Sequence, residues 1–307
     1  MSSSADASPP TPPDVGAASA DAPAAAAGLP DALRLGAVHL TVTDLERSVA
    51  FYEEAIGLLV HRRADASTAL GAGGEDLLVL VDEPAARPAG RHAGLYHFAL
   101  LHPSRLELAR ATQRLAATRT PIQGASDHGI SEAIYLPDPD GNGIELAADR
   151  PRERWGDLRD PTTIGPRPLD LDALLDLVDG AEPQAGADRR LTVGHVHLHI
   201  GDIEKALGFY RDLVGFKPMT VFDSAAFVAA GGYHHHLGLN TWRGTGVPPM
   251  PEGTVGLRHW TLLVPSPSDL DQIAARLRAG GVEPVGQDHG FEIRDPWGIA
   301  TRFGLAN

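Results

Sequence analysis

The sequence predicts an α+β fold built from four βαβββ modules, on the strength of one repeat and one recurring turn chemistry. "LGAVHLTVTDLERSVAFYEEAIGLLVHRR" (35 to 63) and "VGHVHLHIGDIEKALGFYRDLVGFKPM" (193 to 219) follow one plan. Each runs an alternating apolar strand, an Asp, an amphipathic helix ending in Phe-Tyr, and a glycine. "GLYHFALLHPSRLELARATQRLAATRTPI" (94 to 122) and "GLRHWTLLVPSPSDLDQIAARLRAGGVEPV" (257 to 285) begin the same way. Both are followed by strands broken at "DPDGNG" or "DPWG", residues that turn a hairpin.

Taken in order, residues 1 to 32 are mainly Ala, Ser, Pro and Asp and bury too little to offset ordering entropy, so a disordered tail is expected. Residues 33 to 150 hold modules one and two. Asp44 suits the N-cap of the first helix and Gly57 its C-terminal left-handed position; Asp202 and Gly215 repeat the pair in module three. Pro, Gly and charge density mark 151 to 191 as a linker carrying one short helix, "LDLDALLDLV". Modules three and four fill 192 to 307, so the linker is read as the boundary between a first domain, 33 to 150, and a second, 192 to 307.

Composition bounds the chemistry. With 307 residues, 43% of them hydrophobic, the chain can form two domains with real cores. It has no cysteine, so a metal must be held by His, Asp or Glu. The formal charge of −14 disfavours nucleic acid and anionic membrane as partners. No stretch approaches the roughly 20 apolar residues of a membrane span, and the start lacks secretory-signal character, so a cytoplasmic protein is expected.

Four such modules, with "AFY…G", "GHVHLHI", "GYHHHLGLNTW", "GLYHFALLHPSR" and "DHGISEAIYLPDPDGNGIELAADRPRERW", resemble the vicinal oxygen chelate superfamily of glyoxalases, bleomycin-resistance proteins and extradiol dioxygenases. Within it they are most similar to the catechol 2,3-dioxygenase-like branch. The resemblance spans about residues 34 to 306 and implies two barrel-like domains. It also implies two histidines and a glutamate around a non-haem metal, Fe(II) with Mn(II) as the other suitable ion.

The first-strand ligand position lies three residues before a core Leu. It holds Ala37 in module one, His97 in two, His195 in three and His259 in four. The last-strand carboxylate position, four residues after the turn glycine, is Glu145 in module two and Arg302 in module four. The complete set is His97, Glu145 and His195, which requires module two to pair with module three. Pairing one with two and three with four would leave each half an incomplete set. His39, His197 and His199 fall off the offset and read as structural; His259 lacks a carboxylate partner.

The same resemblance assigns acid/base work to His235 of the triple histidine, with His234 second, a substrate-oxygen hydrogen bond to Tyr135, and an outer role to His128. "YHHHLGL" is read as the last strand of module three, where alternation turns His235 away from His234 and His236. Asn240 falls at the expected counterpart of Glu145. Trp242, Phe227 and Trp155 are candidate pocket walls.

The implied activity is extradiol cleavage of a small aromatic diol by dioxygen. Two alternatives stand beside it: a non-oxidative glyoxalase-like lyase or isomerase, which needs a second carboxylate, and a drug-binding resistance protein, which needs no triad. Exposed sheet edges in such modules make a homodimer an expectation.

Overall fold

The computed structural model describes residues 28–88, 90–158 and 165–306. The expected tail falls on residues 1–27, outside the described residues. Of its last five positions, Leu29 is buried and its amide donates to the Gly215 carbonyl.

Module one comprises β1 (Arg34–Leu35), β2 (Val38–Val42), α1 (Leu45–Phe51), β3 (Leu59–Ala64), β4 (Ser67–Gly71) and β5 (Asp76–Asp82). Module two comprises β6 (Gly94–His102), α2 (Arg105–Ala117), β7 (Gly124–Asp127), β8 (Ser131–Pro137) and β9 (Gly143–Asp149). The linker contributes β10 (Arg167–Pro168) and α3 (Leu171–Leu175). Module three has β11 (Thr192–His199), α4 (Ile203–Leu207), β12 (Lys217–Val221), β13 (Ala225–Ala229) and β14 (Leu237–Asn240). Module four has β15 (Gly256–Val264), α5 (Pro267–Ala279), β16 (Val285–Gln287), β17 (Gly290–Arg294) and β18 (Ala300–Leu305).

The strands form two nine-stranded sheets that run from edge to edge without closing. One has the order β16-β17-β18-β15-β2-β5-β4-β3, with β1 on β15, and joins modules one and four. The other, β10-β7-β8-β9-β6-β11-β14-β13-β12, joins modules two and three. Each sheet therefore draws on both sides of the linker. Its centre is the antiparallel pair of first strands, β2 with β15 and β6 with β11.

Modules adjacent in sequence are held together differently, through their helices. The Asp44 side chain caps α1 by accepting from Arg47 N, and Asp202 caps α4 from Lys205 N. Both helices widen into a π-helical turn that ends at Gly57 (φ 82°) or Gly215 (φ 101°), the left-handed backbone glycine adopts most easily. Arg114 of α2 donates to the Ala55 carbonyl beside the first of these ends, and Arg276 of α5 to the Leu213 carbonyl beside the second. A cation at a helix C-terminus satisfies orphan carbonyls and complements the dipole.

The Phe-Tyr motif adds a second bond of this kind. Tyr52 donates to Asp138 at 3.1 Å and Tyr210 to Asp295 at 3.0 Å, so each hydroxyl reaches the "DPDG" or "DPWG" turn of the next module. Both tyrosines are fully buried, and the aspartates also accept backbone amides within their turns. The linker packs as well: Leu174 is buried, and β10 extends the second sheet along β7. Among the described residues no helix is long and apolar enough to cross a membrane.

Burial pushes Asp295 up to about 6 from the ordinary 3.8, against the amides of Ile299 and Trp297 and the Tyr210 hydroxyl. The folded state then holds this proton more tightly than the unfolded chain, so the contribution is most favourable below 3.8 and is lost as pH rises to about 6. Asp295→Asn keeps an acceptor without the charge. Its urea midpoint should lose that component of the slope, about 2–3 kcal/mol between pH 4 and pH 7 relative to the unmodified protein. Parallel curves for the two proteins would show that Asp295 does not titrate in this window.

Candidate metal centre

His97 on β6 and His195 on β11 point inward from the two central strands, and Glu145 comes from β9, which runs parallel to β6 with Ala99 opposite Glu145. All three are buried. His97 Nε2 lies 3.2 Å from His195 Nε2 and 3.0 Å from Glu145 Oε2, and His195 Nε2 lies 3.1 Å from the same oxygen. Two donors about 2.1 Å from one ion and at right angles around it are about 3.0 Å apart, against about 3.4 Å around a tetrahedral ion. The near-equilateral triangle therefore fits one face of an octahedron, with the opposite face open.

The electrostatics agree with that donor set. Burial lowers His97, against the pull of Glu145, and so favours the neutral imidazole a metal needs. Burial alone would raise the Glu145 carboxyl, but the charge and hydrogen bonds of His195 and His97 outweigh it and hold it well below the usual range.

Around the triad lies a cavity of about 540 Å³, the size of a small-molecule site. Tyr135 sits directly across from Glu145 on β8, so both face the same side, and its hydroxyl lies 2.7 Å from His128 Nε2. His128, Tyr135, His234 and His235 all line the cavity, and burial lowers His128 and raises Tyr135. The His235 ring centre is 4.1 Å from that of His195.

The triple histidine differs from its expected form. Residues 234 to 236 form the connection between β13 and β14, ahead of the strand, so strand alternation does not govern them and His234 and His235 both face the cavity. Asp149 organises the pair. It accepts from Tyr233 at 2.8 Å and from His234 Nε2 at 3.0 Å, while His234 Nδ1 and His235 Nδ1 are 2.7 Å apart. In the tautomer whose Nε2–H donates to Asp149, His234 carries its lone pair on Nδ1. His235 Nδ1 must then donate, which leaves the lone pair of His235 on Nε2.

Two further expectations change. The counterpart of Glu145 in module three is Gly238, because β11 and β14 pair His197 with Gly238 as β6 and β9 pair Ala99 with Glu145. Asn240 lies two residues on and faces His199 Nδ1 at 2.7 Å. A Cβ on Gly238 would stand 2.7 Å from Cγ of His197, so a fourth side-chain ligand has no room there. Gly238→Ala should shift the His197 ring and cost about 1–3 kcal/mol of stability, read as a lower urea midpoint; an unchanged midpoint would mean the strand can open at no cost.

His197, read from the sequence as structural, lines the cavity with its ring 5.0 Å from that of His97 and its buried Nε2 without a partner among the described residues. The period-two alternation that puts 195 and 197 on one face was the available signal. Tyr96 and Phe222 also line the cavity, as do Trp242 and Phe227; Trp155 does not, and packs behind His234 while donating to the Arg150 carbonyl. In the other sheet His39 stacks on His259, with ring centres 3.8 Å apart.

Residues 34–146 and 192–303 match the model of the Glyoxalase/Bleomycin resistance protein/Dioxygenase superfamily. The chain belongs to this superfamily. Over 268 residues it is 40% identical to "Catechol-2,3-dioxygenase" of Bacillus subtilis (strain 168), covering 85% of this chain and 93% of that protein. "Metapyrocatechase 2" of Cupriavidus necator is 26% identical over 205 residues, covering 62% of this chain and 58% of the relative. Glyoxalase I from Zea mays shares the superfamily fold, with a TM-score of 0.55 at 17% identity over 89% of this chain and 92% of that one.

Proposed function

We propose that the protein is an extradiol dioxygenase that opens the ring of a small catechol-type diol, with Fe(II) held by His97, Glu145 and His195. The observation that carries the reading is the three-donor triangle with one open side, set in a cavity ringed by His and Tyr. The 40% identity to a catechol-2,3-dioxygenase over most of the chain supports it. Gly238 at the fourth-ligand position weighs against the four-ligand glyoxalase-like alternative. Mn(II) would suit the same donors.

When bound, the metal would supply adjacent coordination positions at which both diol oxygens and dioxygen can meet. The protein's own residues then manage position and protons. His235, with its Nε2 lone pair presented, takes a diol proton and later returns one; the hydrogen bond to His234 and Asp149 holds the ring in that tautomer. Tyr135, hydrogen-bonded to His128 beside Glu145, orients a substrate oxygen. Phe227, Phe222 and Trp242 give an aromatic substrate an apolar wall and limit water. Both atoms of dioxygen enter the product, one in an aldehyde or ketone and one in a carboxylate, so no external reductant is consumed.

The test is to purify the protein without oxygen, load Fe(II), and add catechol in air. Oxygen uptake matched by a yellow ring-opened semialdehyde is the expected result. Metal bound without oxygen uptake over a panel of catechols would move the assignment to non-oxidative chemistry. We also infer a homodimer, which sedimentation equilibrium would read as twice the chain mass.

A further inference from the structure

The sheet of modules one and four borders a second, open cavity of about 760 Å³, lined also by the 249–254 loop. His259 enters it from β15 at the offset that His97 and His195 occupy on β6 and β11. On the neighbouring parallel strand β18, Arg302 pairs with Thr261 as Glu145 pairs with Ala99. The position that carries an anionic ligand in one sheet therefore carries a guanidinium in the other.

Charges around this position do not cancel. Arg258 pairs with Glu83, and Glu292 accepts from both Arg294 Nη2 and Arg302 Nε at 3.0 Å. Three guanidiniums and three carboxylates line the cavity, but Glu83 is taken by Arg258 and Glu252 is exposed, so beside Arg302 two guanidiniums share one carboxylate, Glu292. The bond through Nε leaves the terminal nitrogens of Arg302 without a partner among the described residues. His259 is buried, and its Nε2 likewise has no partner among them. Burial, followed by the charges of Arg302 and Arg258, lowers His39 to about 4; burial, with His39 and Arg302 next, lowers His259 to about 2. Both rings stay neutral and add no cation. Leu257, Ile299 and Trp297 supply an apolar wall.

We propose that this cavity binds a small organic monocarboxylate, its carboxylate held by Arg302 beside His259 and its apolar body set against Leu257, Ile299 and Trp297. A guanidinium with its terminal nitrogens open matches a carboxylate in a two-bond fork, and an added carboxylate gives the Arg294 and Arg302 pair on Glu292 its second counter-charge. The apolar wall favours an organic anion over a bare one. The site is separate from the metal centre and does not depend on the activity proposed for it.

Isothermal titration of benzoate into the metal-free full-length protein tests this. Saturable one-to-one binding is expected, weakened about tenfold or more in Arg302→Gln and less in Arg302→Lys, which keeps charge but loses the fork. His97→Ala, altered in the first cavity, should bind benzoate as the unmodified protein does. Circular dichroism confirms that each variant is folded. No saturable heat, an affinity unchanged in Arg302→Gln, or an affinity lost in His97→Ala would each overturn the proposal. Inorganic phosphate binding as tightly as benzoate would overturn it too, since the apolar wall would then contribute nothing.

Discussion

Glu145→Ala leaves a folded protein that no longer retains metal or opens catechol. The carboxylate is the sole anionic donor in a triangle whose edges are 3.0–3.2 Å, and its loss leaves two imidazoles across an open face. Removing a group that merely orients a ligand typically costs about 10–100-fold in affinity or activity, and losing the ligand itself should cost more than about 100-fold. Metal content measured after gel filtration and oxygen uptake with catechol should fall together. Full metal occupancy in this variant would place the ion elsewhere and remove the basis of the proposed chemistry.

His235→Gln should separate binding from chemistry. Glutamine keeps hydrogen-bonding capacity but cannot exchange a proton near neutral pH, so kcat should fall about 10²–10⁴-fold while metal content and KM change little. Asp149→Asn should give a smaller loss in the same parameter, because it disturbs the tautomer of His234 and leaves His235 in place. A kcat for His235→Gln within about tenfold of the unmodified enzyme, below the usual contribution of a general base, would shift the proton transfer to Tyr135 and His128, which lie on the other side of the triad.

Much of the site was legible because it follows local rules applied to a repeat. Asp44 and Asp202 cap their helices, Gly57 and Gly215 end them with positive φ, and the offset from a core Leu picks out the first-strand histidines. Tyr135 and Glu145 face the same way because the hairpin makes them a direct cross-strand pair. The triple histidine was legible only in composition. Its shape depends on Asp149, a residue 85 positions away in the chain whose bond to His234 no local pattern encodes.

The sequence by itself determined the four modules, their caps and turns, and the residue types able to hold a metal, since these follow from periodicity, backbone preference and donor chemistry within a short span. The ligand set already required module two to pair with module three; only the tertiary structure decided that Gly238 and not Asn240 faces the fourth-ligand position, that His234 and His235 precede the strand, and that His197 joins the cavity wall. Each depends on strand register between segments brought together by folding, where a shift of one residue turns every side chain to the opposite face.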